Sequence, residues 1–216
     1  MSIMEVRDVS YSYDGKKNVL NHVSASFEEG NVYAILGPSG CGKTTLLSLL
    51  GGLDVPTGGA VLFDGTDIQK TGLGLHRREH VSFIFQNYNL IDYMTPLENA
   101  ALSGSKTPVM PVLKRLGLTE SEVKRNVLKL SGGQQQRVAI ARALVANTRV
   151  ILADEPTGNV DDQMSVEIAK ILKESAKETG KCVIIVTHSL DLANEADTIL
   201  VLKNGVLEPK QKTEAE

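Results

Sequence analysis

"NVYAILGPSGCGKTTLLSLL", Asn31–Leu50, decides the architecture. It opens on an apolar run without polar alternation, Val32–Leu36, the pattern of a strand buried on both faces of a parallel sheet. It closes on "KTTLLSLL", a helix stopped by Gly51 and Gly52. Between them "GPSGCGKT", Gly37–Thr44, fits G-x-x-x-x-G-K-[ST] in full, and a strand before it and a helix after it are the setting that motif needs. The glycines permit a turn tight enough for backbone N–H groups to face phosphate oxygens. Gly37, Pro38, Ser39, Gly40, Cys41, Gly42, Lys43, Thr44 and Thr45 are therefore candidate nucleotide-binding residues, with Lys43 reaching the β- and γ-phosphates and the Thr44 hydroxyl suited to Mg²⁺.

Outward from this unit, "IMEVRDVSYSY" (3–13) and "VSASF" (23–27) alternate with period two around a "YDGKKN" turn, and "VPTGGAVLFDG" (55–65) reads as a hairpin. "HVSFIFQ" (80–86) is a further strand. From Asn87 to Ala146 the strands stop and helical pieces succeed one another: "TPLENAAL", "MPVLKRLGL", "TESEVKRNVL" and "GGQQQRVAIARALVA". Strands resume at "RVILAD", "CVIIVT" and "TILVL", with the helical pattern "QMSVEIAKILKESAKETG" between the first two. Strand–helix–strand order implies an α/β fold with a mainly parallel sheet and right-handed crossovers. The expected organisation is one domain over 1–216. A core with an N-terminal antiparallel β subdomain takes 1–86 and 148–216, and an inserted α-helical subdomain takes 87–147. The polar end, "PKQKTEAE", is expected to fray.

Composition narrows the function. A net charge of −3 gives no electrostatic basis for nucleic acid as a partner. The two cysteines, Cys41 and Cys182, lie far apart in sequence, so a disulfide framework is not expected and a reducing cytosol fits. The N-terminus lacks a signal-peptide pattern, and the apolar runs are too short to cross a bilayer, so any membrane role is expected to come through a partner.

Three further sites carry chemistry. "VILADEP" brings Asp154 and Glu155 out of a buried strand end, Asp154 suited to Mg²⁺ and Glu155 to polarising an attacking water. His188 comes directly after "CVIIVT" at a parallel strand end, placed to contact a γ-phosphate. "LSGGQQQRVAIARAL", Leu130–Leu144, starts a helix with a serine and two glycines, a second anion site far from the first in sequence.

Taken together, "GPSGCGKTT", "LSGGQQQR", "VILADEPTGNVD" and "VTHS" resemble, in order and over nearly the whole chain, the nucleotide-binding subunits of ABC transporters. The resemblance implies a P-loop ATPase that binds ATP with Mg²⁺. It implies a head-to-tail homodimer in which Ser131, Gly132, Gly133 and Gln134 of one chain bind the γ-phosphate held by the phosphate loop of the other. By motif, Gln86 matches the glutamine that binds Mg²⁺ and links core to helical subdomain, Tyr13 the aromatic residue stacked on adenine, and Asp161 the aspartate at the dimer seam. Tyr11 is the alternative for adenine, since alternation sends both tyrosines to one side. "GGLDVPTGGAVLFDG", "FQNYNLIDYMTPLEN" and "ADEPTGNVD" are similar to the ATPases of macrolide-exporter, lipoprotein-releasing and antimicrobial-peptide-resistance systems. An integral membrane permease is thereby implied, with the ATPase peripheral at the cytoplasmic face of the cell membrane. A nucleic-acid-directed ABC ATPase would be expected to show two fused motif sets or a heptad-rich insert, and a GTPase an Asn-Lys-x-Asp motif. The sequence has neither.

Overall fold

The computed structural model describes residues 2–104, 107–158, 160 and 162–210. Asp161 and most of the polar C-terminal stretch lie outside the described residues.

β1 (Ser2–Tyr11) and β2 (Leu20–Glu28) form an antiparallel pair, β2 extending beyond the "VSASF" core of its pattern on both sides. β4 (Gly58–Phe63) adds antiparallel to the other edge of β1, and β5 (Thr66–Asp67) closes a hairpin through Asp64 and Gly65. The order of this sheet is β2-β1-β4-β5.

The second sheet is built on β3 (Val32–Leu36), whose five residues are all buried, as an unalternating apolar run requires. β3 pairs in parallel with β8 (Cys182–Thr187) and β9 (Thr198–Lys203). β8 pairs with β7 (Val150–Asp154), and β7 with β6 (Val81–Ile84). Only the edge strand β10 (Val206–Pro209) is antiparallel, giving the order β10-β9-β3-β8-β7-β6. Because β3, β7 and β8 run the same way, Leu36, Asp154 and Thr187 end at one rim, and the loops leaving these three strands gather there.

α1 (Lys43–Leu50) leaves β3 and packs under the sheet with Leu46, Leu49 and Leu50 fully buried. Gly51 is more than a stop signal. A Cβ there would lie 2.0 Å from Cζ of Phe83 on β6, so only glycine lets the helix end come this close. The short helices α2 (Ile68–Thr71) and α3 (Leu73–Leu75) lead into a π-helical turn at His76–His80, so β6 begins one residue after His80 rather than at it.

Helices come after β6: α4 (Pro96–Ala101), α5 (Val109–Arg115), α6 (Glu120–Val123), a 3₁₀ turn at Val127–Lys129 and α7 (Gly132–Val145). α4, α6 and α7 each start in a capping box, with Thr95/Glu98, Thr119/Glu122 and Ser131/Gln134 bonding reciprocally. Leu113, Leu116, Leu118, Val123, Val127 and Val138 form their apolar centre, continuous with β7 and β8. α8 (Asp162–Thr179) bridges β7 and β8, and α9 (Leu190–Asn194) bridges β8 and β9.

Candidate functional site

The loop after β3 turns through Gly40 at φ 75° and Gly42 at φ 105°, both left-handed. At Gly42 a Cβ would also sit 3.0 Å from Val19, so backbone angle and space select the same residue. Gly42 caps α1 without a side-chain acceptor, which leaves the first-turn N–H groups directed at the loop. Lys43 is mostly buried, and its ammonium donates to Gly37 O at 2.8 Å and Pro38 O at 3.1 Å. A buried cation and uncapped helix amides make this a receptor for a strongly anionic group.

Asp154 stands at the end of β7, beside α1. Its Oδ1 accepts from Thr44 Oγ1 at 3.3 Å. Burial pushes the Asp154 carboxyl above its ordinary value, and the Thr44 hydroxyl pulls it partly back. Glu155 adopts φ 45°, a left-handed backbone that costs a non-glycine residue and turns the carboxylate toward the end of β8. There Oε2 accepts from Thr187 Oγ1 at 3.0 Å and from the His188 amide at 3.4 Å, while Oε1 faces His188 Nδ1 at 3.0 Å. The sheet thus brings together Lys43, Thr44, Asp154, Glu155 and His188. It adds Thr187, fully buried, whose hydroxyl donates to Glu155 and accepts from the Ser189 amide. Its only sequence signal was a polar residue ending an apolar run.

The two tyrosines part company. β1 ends at Tyr11, so the alternation does not carry on to Tyr13. Tyr11 is buried, its hydroxyl donating to Asp54, which pushes its pKa up to about 12. Tyr13 is 71% exposed, its ring edge-on to Tyr11 at 4.9 Å between centroids and its hydroxyl 2.8 Å from Thr45 Oγ1. Only Tyr13 offers a free ring face beside the phosphate loop. Pro38, Ser39, Gly40 and Cys41, with Lys17, Asn18 and Val19 and the Asn204–Gly205 turn, line an adjoining cavity of about 490 Å³.

Gln86 is exposed in the segment leaving β6, with Tyr88 and Asn89 just beyond it at φ 28° and 48°. Ser131 caps α7: its hydroxyl accepts from the Gln134 amide at 3.3 Å, and Gln134 Oε1 accepts from the Ser131 amide at 2.9 Å. Gln134 Nε2 also donates to Glu122 at 2.6 Å, so the Gln134 side chain is engaged within its own subdomain. Gly132 and Gly133 follow Ser131 in this helix start, and a Cβ at Gly132 would lie 2.8 Å from the Tyr88 hydroxyl, so the absence of a side chain leaves room for that tyrosine.

Comparison with known proteins agrees with this geometry. The ABC transporter family model matches residues 20–158. The chain is 42% identical to the ABC transporter ATP-binding protein YclH of Bacillus subtilis, over 98% of each chain. It is 38% identical to the macrolide export ATP-binding/permease protein MacB of Bdellovibrio bacteriovorus, over 99% of this chain and 34% of that one. Among solved structures, the dimeric post-hydrolysis state of the ATP-binding cassette MJ0796 with ADP and Pi superposes with a TM-score of 0.87 at 35% identity, over 99% of this chain and 100% of that one. The chain therefore belongs to the ABC transporter ATP-binding family, and it is an ATPase.

Proposed function

We propose that the chain is the ATP-hydrolysing subunit of a permease-coupled system and works as a head-to-tail homodimer. Each ATP lies between the phosphate loop of one copy and the Ser131–Gln134 signature of the other. The observation that carries this reading is the division of anion receptors. Lys43 and the uncapped start of α1 belong to the core, and Ser131–Gly133 begin a helix of the helical subdomain. The MJ0796 cassette, dimeric and bound to ADP and Pi, supports it. Asp161 is assigned to the dimer seam by motif.

The residues fit ATP and a hard divalent cation. The Thr44 hydroxyl and a buried Asp154 carboxylate already meet, and this all-oxygen pair is the donor chemistry that Mg²⁺ selects. Gln86 is the third candidate ligand. Bound Mg²⁺ neutralises phosphate charge. Lys43 and the amides of the phosphate loop hold the β- and γ-phosphates, and Tyr13 stacks on adenine. Glu155 accepts a proton from the attacking water, its carboxylate aimed by Thr187 and by the amide of His188, while the His188 ring holds the γ-phosphate side.

Mixed mutants test the dimer. Lys43→Ala alone and Ser131→Arg alone form only defective sites. A heterodimer of the two has one doubly damaged site and one intact site, so ATP binding returns at one site per dimer. A γ-phosphate crosslinking probe then labels the signature of the Lys43→Ala chain. Label confined to single chains overturns the trans arrangement.

A partner membrane permease is proposed as the driven component, with this chain peripheral at the cytoplasmic face. Among the described residues no helix is long and apolar enough to cross a membrane. The identity shared with MacB over 34% of that protein's length supports a permease of the macrolide-exporter kind. Of the apolar residues after Gln86, Leu90 packs against the helical core while Tyr93 is 80% exposed. Tyr93→Glu is expected to cut permease capture from mild detergent at least about tenfold, the weight of an aromatic hot spot. Basal ATPase activity should stay within about twofold. Unchanged capture moves the docking surface elsewhere.

A further inference from the structure

We infer that Gln136 is a positioning residue for hydrolysis, through which α7 ties the signature that faces the partner to the same chain's own Glu155. The inference rests on the head-to-tail reading proposed for the dimer.

Gln136 lies one turn into α7 and is 1% exposed. Its Nε2 donates to Pro156 O at 2.8 Å, and Pro156, also buried, is the residue directly after Glu155. Glu155 holds its left-handed backbone under three restraints: its amide donates to Val186 O at 3.0 Å, its carbonyl accepts from the Gly158 amide at 3.1 Å, and the next carbonyl accepts from Gln136. Two of these restraints come from β8 and from the loop itself. The Gln136 bond alone comes from the helical subdomain.

Gln136 Oε1 is buried with no partner among the described residues, so the amide's one hydrogen bond is the donation from Nε2, and losing it would leave the Pro156 carbonyl short of a donor. The donor to Pro156 is what a methionine or leucine would not supply.

The same helix has a second arm. Arg142 Nη1 donates to Asn89 O at 2.6 Å and Nη2 to Tyr88 O at 2.9 Å, in the left-handed segment just past Gln86. One helix therefore carries the signature at its start, the Glu155 loop at Gln136 and the Gln86 loop at Arg142. Packed elements shift as units rather than bending. A phosphate of the partner's site that draws in the start of α7 thus moves Pro156, and with it the carboxylate of this chain's own site. Occupancy of one site sets the geometry of the other.

The test uses the full chain. Hydrolysis is measured against ATP concentration, and ATP-driven dimerisation is measured by size exclusion in the Glu155→Gln background. The Glu155→Gln chain is expected to dimerise, and the parent to give a Hill coefficient approaching about 2, the limit for two coupled sites. Gln136→Met should melt within a few degrees of the parent and still dimerise. Its kcat should fall about tenfold at similar KM, and its Hill coefficient should drop to about 1. Gln136→Glu is the rescue variant: a carboxyl at this buried position donates to Pro156 O only when protonated, so its rate relative to the parent should rise as pH falls from about 8 to about 6. If Gln136→Met fails to fold, Gln136→Glu carries the test, and a flat ratio overturns the inference. Dimers of Gln136→Met with parental kcat and Hill coefficient overturn this inference alone, as does a cooperative parent paralleled by the mutant. A Glu155→Gln chain that never dimerises with ATP overturns the head-to-tail reading and this inference together, and a Glu155→Gln chain that dimerises while the parent gives a Hill coefficient of about 1 overturns this inference alone.

Discussion

Glu155→Gln binds ATP like the parent and loses at least about a hundredfold in turnover, the usual weight of a general base. The substitution is nearly isosteric, so the left-handed turn at φ 45° survives. The Gln carbonyl oxygen still accepts from Thr187, and the new amide, which donates where the carboxylate accepted, is accommodated when His188 presents an unprotonated Nδ1. What disappears is the proton acceptor. Nucleotide that binds and is not cleaved holds two chains together, so the mutant accumulates as an ATP-bound dimer on size exclusion with ATP and Mg²⁺ while the parent cycles back to monomer. Turnover near the parental rate would remove Glu155 from the role of base.

Acid weakens the fold from a different place, the π-helical turn before β6. His76 is fully buried there, its Nε2 2.9 Å from Leu50 O at the end of α1 and its Nδ1 3.1 Å from His80 Nδ1. Burial pushes its pKa down from 6.5 to about 4 and outweighs the Leu50 carbonyl, which favours the charged ring. His80, stacked on Phe63 at 4.0 Å, is also pushed down by burial. Between about pH 6.5 and pH 4 the unfolded chain therefore binds protons that the native chain refuses. The contribution of His76 is fully present above pH 6.5 and declines as pH falls toward 4. At about 1.4 kcal/mol per unit, the loss by pH 5 is roughly 2 kcal/mol. Urea unfolding at pH 7.5, 6.5, 5.8 and 5.0 measures it, and comparison with a His76 mutant separates it from the carboxylates, of which Asp154, raised by burial, acts in the opposite direction. His76→Gln starts less stable and should show a much flatter profile. An equally steep decline in that mutant would assign the acid sensitivity to other groups.

The order of strands and helices was legible because each signal is local. Val32–Leu36 shows no alternation, the glycines punctuate, and Thr95, Thr119 and Ser131 each precede their box partner by three residues. That the candidate residues at strand ends would lie together was legible for the same reason, since parallel strands deliver their last residues to one rim. What escaped the sequence depends on partners far along the chain. Nothing near Tyr11 indicates that Asp54 holds its hydroxyl and leaves Tyr13 as the ring beside the loop. "HRREH" looks like a solvated, charged turn, yet one of its histidines is fully buried against α1. Gln134, Gln135 and Gln136 are three identical letters with three different fates: a cap, a bond to Leu130 O, and a buried reach to Pro156. Helical phase separates them only once the position of the Glu155 loop is known.

The capping box at Ser131 also bears on how fast two copies meet. Its bonds close within one chain, so the signature takes its shape without a neighbour. Association then needs no folding step. Two preformed faces collide and orient, a regime with rate constants on the order of 10⁵–10⁷ M⁻¹s⁻¹, rather than the slower one in which a segment must order first. Since rigid faces differ little in how quickly they find each other, differences in affinity fall on departure, and in the proposed head-to-tail pair departure waits on the phosphate between the two copies.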